Sequence, residues 1–295
     1  MAEKPVGVNA FRDAWRVAES SMPQPTRVRN LVIRFADAMA KQIQSGTEQA
    51  ARECVESLYA GDLWLIRGMF SADFMRDLKR RTVEFMGSEP SSFHKMLEGS
   101  PNFHRRIDLE AGKNYSFECC KHAAYFYRWN DDPLNVWPTV TPQWRLIKRL
   151  MGLAEDEYEG NTPKAGVVDR VQVVRYPPAI GFLEPHCDPY LHQRLFFSGY
   201  MSRRGDDFQG GGFYAVGPDN QVVDIESHIR VGDACVGYAT VYHGVAPCDR
   251  DKVPDWDASD GRWFLSMYSN ASDEVPNRHT GRPVKLDLPG VLPCL

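Results

Sequence analysis

The chain has 295 residues, of which 43% are hydrophobic and 25% charged, and a formal charge of −4. That length accommodates one large domain or two small ones with a substantial core, and the slightly acidic balance gives no electrostatic case for nucleic acid or an anionic membrane as the main partner. Seven cysteines without a CxxC pair, two of them neighbours at Cys119 and Cys120, fit reduced thiols in a cytoplasmic setting better than a disulfide framework.

The opening MAEKPVGVNAFRDAW lacks the continuous apolar core of a secretory leader, and no run of about 20 apolar residues exists to span a bilayer, so a soluble cytoplasmic protein is expected. Residues 1–26, ending in Ser-Ser-Met-Pro-Gln-Pro, are expected to form a flexible arm. Apolar residues at Leu31, Phe35, Met39 and Ile43 recur at helical spacing and predict one helix over 31–43. Ser45 and Glu48 stand three apart, as in a capping box, ahead of a stripe of Ala51, Cys54, Val55 and Leu58. Gly61-Asp62 breaks that helix, and 63–66 reads as a short buried strand. Ser71 then caps a helix whose stripe is Phe74, Met75, Leu78 and Phe85.

Between 88 and 140 the pattern is irregular and rich in aromatics. Most aromatics pack into a core, but a stretch like this can also wall a site. His104, Arg105, Tyr115, Phe117 and His122 are its candidate substrate contacts. Thr141-Pro142 is read as opening a helix through Trp144, Ile147 and Leu150 that closes at Gly152. Residues 27–160 are thus expected to give helical support and a substrate lid.

Beyond 160 the grammar changes to short β-rich runs at 167–176, 193–201, 212–216, 221–225, 234–241 and 262–269. Turn residues such as Pro177-Pro178, Gly205-Asp206 and Gly232-Asp233 separate them. Strands following helices predict an α+β fold, with a double-stranded β-helix (jelly-roll) core over 161–272. An extended tail over 273–295 completes one compact domain. No GxGxxG, phosphate-binding GKS/T loop or GxSxG is present, which argues against dinucleotide, nucleotide-kinase and α/β-hydrolase chemistry.

One stretch concentrates the chemistry. On an extended strand His186 and Asp188 point to the same face and Cys187 to the other. With a distant His243, they make the two-histidine, one-carboxylate face that suits non-haem Fe(II) and leaves positions open for reactants. RVQVVRYPP, PHCDPY, DFQGGGFYAV, RVGDACVGYATVYHGVAPC and GRWFLSMYS follow one another between 170 and 270. In that order they resemble the iron(II)- and 2-oxoglutarate-dependent oxygenases, in particular their prolyl-hydroxylase-like section.

The resemblance implies Fe(II), 2-oxoglutarate as cosubstrate and O2, with His186, Asp188 and His243 as iron ligands. It places Arg262 on the distal carboxylate of 2-oxoglutarate, where a guanidinium fork pairs in a bidentate manner. Tyr176 and Gln172 are further cosubstrate candidates. It also implies hydroxylation of an unactivated C–H bond, with succinate and CO2 as co-products; with no nucleic-acid patch or peptide-recognition module visible, a small-molecule biosynthetic intermediate is the expected substrate. Desaturation, ring formation and demethylation use the same ligands. The polar stretch 249–260 lengthens the interval between His243 and Arg262 beyond the family's usual one, and is expected to border the substrate entrance. Two other classes compete: a cupin-type metal-dependent isomerase or hydrolase, whose HxH and following Glu are absent around His186, and a non-catalytic jelly-roll binding protein.

Overall fold

The structure, a computed structural model, describes residues 10–286 and residue 288. Its first element corrects an expectation. Residues 10–21 are not an arm but helix α1 (Ala10–Ser21), because Phe11, Trp15 and Ala18 share one helical face and are buried. The Trp15 indole donates to the Leu150 carbonyl at 2.7 Å, and residues 1–9 lie outside the described part. The helix expected over 31–43 is instead strand β1 (Leu31–Phe35) followed by helix α2 (Ala36–Ser45). Val32 and Ile33 favour the extended form, and β1 pairs in parallel with a later strand from Leu31↔Leu63 onward.

Helix α3 (Glu48–Tyr59) is capped by Thr47, whose hydroxyl accepts from the Ala50 amide at 3.2 Å. Ser45 bonds back to the Gln42 carbonyl at the end of α2 instead, so the expected Ser45–Glu48 box does not form. Strand β2 (Leu63–Arg67) and helix α4 (Ala72–Ser88), capped by Ser71, follow as the sequence predicts. The irregular, aromatic stretch resolves into β3 (Phe103–Ile107), the short α5 (Leu109–Gly112) and β4 (Cys119–Tyr127). Helix α6 (Trp137–Leu150) begins before Thr141 and carries Pro142 inside it. The earlier start comes from Asp132, whose carboxylate accepts from the amides of Val136 and Trp137, and from Pro138 in the first turn.

The remaining strands are β5 (Val167–Tyr176), β6 (Phe182–Cys187), β7 (Leu195–Tyr200), β8 (Gly212–Val216), β9 (Val222–Asp224), β10 (Ala234–Tyr238), β11 (His243–Ala246), β12 (Arg262–Ala271) and β13 (Arg282–Pro283). Strands β5, β12, β7 and β10 pair antiparallel in one sheet. Strands β6, β11, β8 and β9 pair antiparallel in the opposing one. Between β5 and β12 the chain steps from sheet to sheet, which makes the expected jelly roll within an α+β fold. β1 and β2 extend the first sheet past β10, and β3 and β4 extend it past β5. β4 also bridges the two sheets, since Cys119 and Cys120 pair with β6.

Alternation along β5 assigns its two faces. Gln172 and Tyr176 look into the barrel, while Asp169, Val171, Val173 and Arg175 look out. Helix α6 covers the outer side: the Trp144 indole donates to Asp169 at 3.3 Å, and the fully buried Lys148 ammonium pairs with the same carboxylate. Gly199 on β7 lets α4 approach, since a Cβ there would sit 2.7 Å from Met75 and 2.8 Å from Phe70. Among the described residues no helix is long and apolar enough to cross a membrane.

Candidate metal centre

His186 and His243 face each other across the β6–β11 pair, so two distant parts of the chain deliver imidazoles to one point. Asp188 follows the end of β6 and is pinned there by its amide, which donates to the Ala239 carbonyl at 2.9 Å. All three side chains are buried, and their ligating atoms lie within 4.8 Å of one another. The Asp188 oxygens stand 3.7 Å from His186 Nε2 and 3.6 Å from His243 Nε2, too far for hydrogen bonds. These atoms converge without satisfying each other.

The backbone sets which nitrogen is free. His186 Nδ1 lies 2.9 Å from the Glu184 carbonyl, and His243 Nδ1 lies 2.8 Å from the Val241 carbonyl. A carbonyl only accepts, so each Nδ1 carries the proton and each Nε2 presents a lone pair inward. Burial, and then the neighbouring His243, holds the His186 imidazole well below its ordinary pKa. Burial also pushes the Asp188 carboxyl up, against the opposing influence of His243, Lys121 and Arg170. Two imidazoles whose Nδ1 atoms are committed to carbonyls, beside a carboxylate that is costly to ionise, fit a divalent cation, which compensates that charge directly.

Arg262 opens β12 opposite Tyr176 and is 2% exposed. Its Nε donates to Glu226 at 2.7 Å. The rings of Tyr200, Phe264 and Tyr176 surround its guanidinium at 5.4, 5.4 and 5.7 Å. Burial works against the charge, but Glu226 and the two tyrosines more than offset it and raise the pKa. The second oxygen of Glu226 and the Tyr176 hydroxyl are buried without hydrogen-bond partners among the described residues.

A cavity of about 220 Å³ opens on His186 and Asp188. Gln172 and Tyr176 line it, as do Tyr115 and Phe117, the latter stacked on the His186 ring at 4.3 Å. The other three substrate candidates lie outside the lining of this cavity. His104 and His122 bond to each other at 2.9 Å and do not line the cavity. In β4 it is Lys121, Tyr125 and Tyr127 that reach the cavity, so the alternate residue His122 faces outward. Arg105 lies outside the lining, its guanidinium over the rings of Phe93 and Tyr115. Arg262 does not line the cavity itself; its guanidinium lies against the rings of Tyr176 and Phe264, which do. The stretch 249–260 does not border the entrance. It is tied to the outer face, where Arg175 donates to the carbonyls of Asp260, Trp256 and Asp255, and Trp256 packs edge-on against His122.

Sequence reasoning missed Arg170 and Lys121, which line the cavity, and the tail residues Arg278 to Gly281, which help to close it. Arg170 carried a usable signal: it lies two residues before Gln172 and shares its face. Lys121 was also conspicuous as a cation within a fully buried strand. The tail had no such mark, since its position depends on β13 pairing with β6 at Arg282↔Cys187.

No family model matches this chain, and no curated protein sequence matches it. Among solved structures it is similar to a prolyl-4-hydroxylase of Pseudomonas putida, with 13% identity over 78% of this chain and 97% of that one, at a TM-score of 0.46. It is similar also to a Neurospora crassa protein solved in complex with alpha-KG and thymine, with 13% identity over 85% and 88% and a TM-score of 0.47. A third is a Trichoplax adhaerens prolyl hydroxylase in complex with a hypoxia-inducible-factor peptide fragment, with 14% identity over 81% and 92% and a TM-score of 0.47.

Proposed function

We propose that this chain is a non-haem Fe(II)- and 2-oxoglutarate-dependent dioxygenase that hydroxylates an unactivated C–H bond of a small-molecule biosynthetic intermediate. One observation carries the reading: two imidazole Nε2 atoms and one carboxylate, each oriented by the backbone, converge beside a small cavity that His186 and Asp188 line. His186, Asp188 and His243 would hold the iron. Bound there, iron supplies O2 activation coupled to oxidative decarboxylation of 2-oxoglutarate, so that one oxygen atom ends in succinate and the other in the product hydroxyl, with CO2 released.

The chain's own part is to bind, orient and exclude water. The Tyr176 hydroxyl, buried without a partner, is available to a cosubstrate carboxylate, and Arg262 lies beside its ring with the Nη edge of its fork not engaged by Glu226. Glu226 holds that guanidinium in orientation. Phe117 covers the His186 ring and shields one side of the triad from solvent.

The test is succinate release by anaerobically iron-loaded protein given O2 and 2-oxoglutarate, alongside iron content and 2-oxoglutarate binding by calorimetry. His186→Ala should lose both iron and turnover. Arg262→Ala should weaken 2-oxoglutarate binding by about 10–100-fold, the range of a charge-assisted pair worth about 1.5–3 kcal/mol. Absence of iron-dependent 2-oxoglutarate binding in the parent protein sinks the proposal.

A further inference from the structure

Among the described residues the barrel holds two arginines on its inner face, Arg170 and Arg262, and only one has an acid partner. Arg262 pairs through its Nε with Glu226. Arg170 lines the cavity, opposite Tyr268 on β12, and no acid among the described residues stands within ion-pair distance of it. Its Nε is buried without a partner, a costly state for a charged donor unless something else occupies it. The rings of Tyr268 and Tyr125 hold its guanidinium at 5.3 and 5.5 Å, which steadies the fork. The Tyr127 hydroxyl beside it is neutral and does not compensate its charge. Lys121, 9% exposed, lines the same cavity and is likewise without an acid in ion-pair range among the described residues.

The charge balance points the same way. Arg278 pairs with Asp273 at 3.0 Å, so these two wall residues cancel. With a divalent ion on Asp188, the triad carries one net positive charge, and Arg170 and Lys121 add two more. The dianion 2-oxoglutarate compensates two of these three, which leaves one positive charge in a largely buried cavity. A neutral substrate would leave it uncompensated. Phe93, Phe103 and Tyr115 on the same wall provide apolar surface for the rest of the molecule.

We propose that Arg170, supported by Lys121, anchors a carboxylate of the primary substrate above the triad, making the substrate a small organic acid. This rests on the oxygenase reading for the chemistry and for the charge balance, but not for the acid-free surroundings of Arg170. Arg170 and Arg262 thereby divide two anions: Arg262 takes the cosubstrate and Arg170 the substrate.

The experiment is ligand-observed NMR with 3-phenylpropionate and N-acetylphenylalanine against their primary amides, on the metal-free protein and on the Fe(II) protein with 2-oxoglutarate. The acids should bind at least about tenfold more tightly than the amides, as one charge-assisted pair requires. Arg170→Met should abolish that preference while keeping iron content and 2-oxoglutarate affinity. Arg170→Lys should restore it only in part, because an ammonium does not reproduce the fork. Equal binding of acids and amides, no binding of either, or a preference that persists in Arg170→Met overturns the proposal. So does loss of 2-oxoglutarate binding in Arg170→Met, which would make Arg170 the cosubstrate anchor and leave the oxygenase reading standing. Failure to bind iron, by contrast, removes the oxygenase reading, while the acid preference is still decided on the metal-free protein.

Discussion

His186 and His243 face each other with ring centroids 4.4 Å apart, and His104 and His122 do so at 5.0 Å. Both pairs are buried on facing strands, yet they are wired oppositely. His104 Nε2 lies 2.7 Å from the Glu89 carbonyl and so carries the proton, leaving Nδ1 to accept from His122 Nε2 at 2.9 Å. That pair closes on itself. In the other pair both Nδ1 atoms are committed to carbonyls, and both Nε2 lone pairs point at Asp188. A histidine pair becomes a metal site through the atoms its backbone leaves free, not through proximity.

The strongest challenge to this contrast is a substitution at Asp188. Asp188→Ala should weaken Fe(II) binding by more than about 100-fold, beyond the 10–100-fold typical of residues that only support ligands, as read by metal titration. Because it removes a carboxylate whose burial opposes ionisation, it should leave the metal-free protein no less stable to urea. His104→Ala should do the reverse, costing about 1–3 kcal/mol through the unsatisfied His122 and Glu89 groups with iron affinity unchanged. Iron loss in His104→Ala would put the two pairs in one site.

A pH titration separates the pairs in a second way. Burial first, then His104, Arg106 and Arg175, pushes His122 down to about 3, against about 6.5 in the unfolded chain. The neutral form is the folded one, so its contribution to stability is complete above about pH 6.5. It declines as pH falls toward 3, by at most about 1.4 kcal/mol per unit. Urea midpoints between pH 7 and pH 5 should therefore fall more steeply for the parent than for His122→Gln. A slighter change is due at Phe117→Leu, which removes the ring stacked on His186 and should weaken iron binding by less than about tenfold, measured in the same metal titration.

Much of the barrel could be read locally. Strands β5 and β8 begin and end where turn residues and β-branched runs predict, and the HxD alternation alone puts His186 and Asp188 on one face. Errors cluster where a local pattern had two meanings. Leu31, Phe35, Met39 and Ile43 are spaced for a helix, but β2 offers β1 a partner that outweighs the spacing. The arm predicted over 1–26 failed at α1 because its apolar stripe is short, and only Leu150 and the surrounding core make it worth burying. His104, Arg105 and His122 looked like site residues by type, and the sheet turned both histidines away.

The candidate ligand types, the stretch that carries two of them, and the jelly-roll order of the elements were all written in the chain itself, because they depend on a period of two and on turn chemistry within a few residues. Which cations have an acid partner and which do not was settled only when the sheets came together. Glu226 reaches Arg262 across 36 positions of chain, Arg175 is taken by the 249–260 stretch, and Arg170 is left without an acid among the described residues. Charge compensation depends on distance through space, and no local periodicity encodes it.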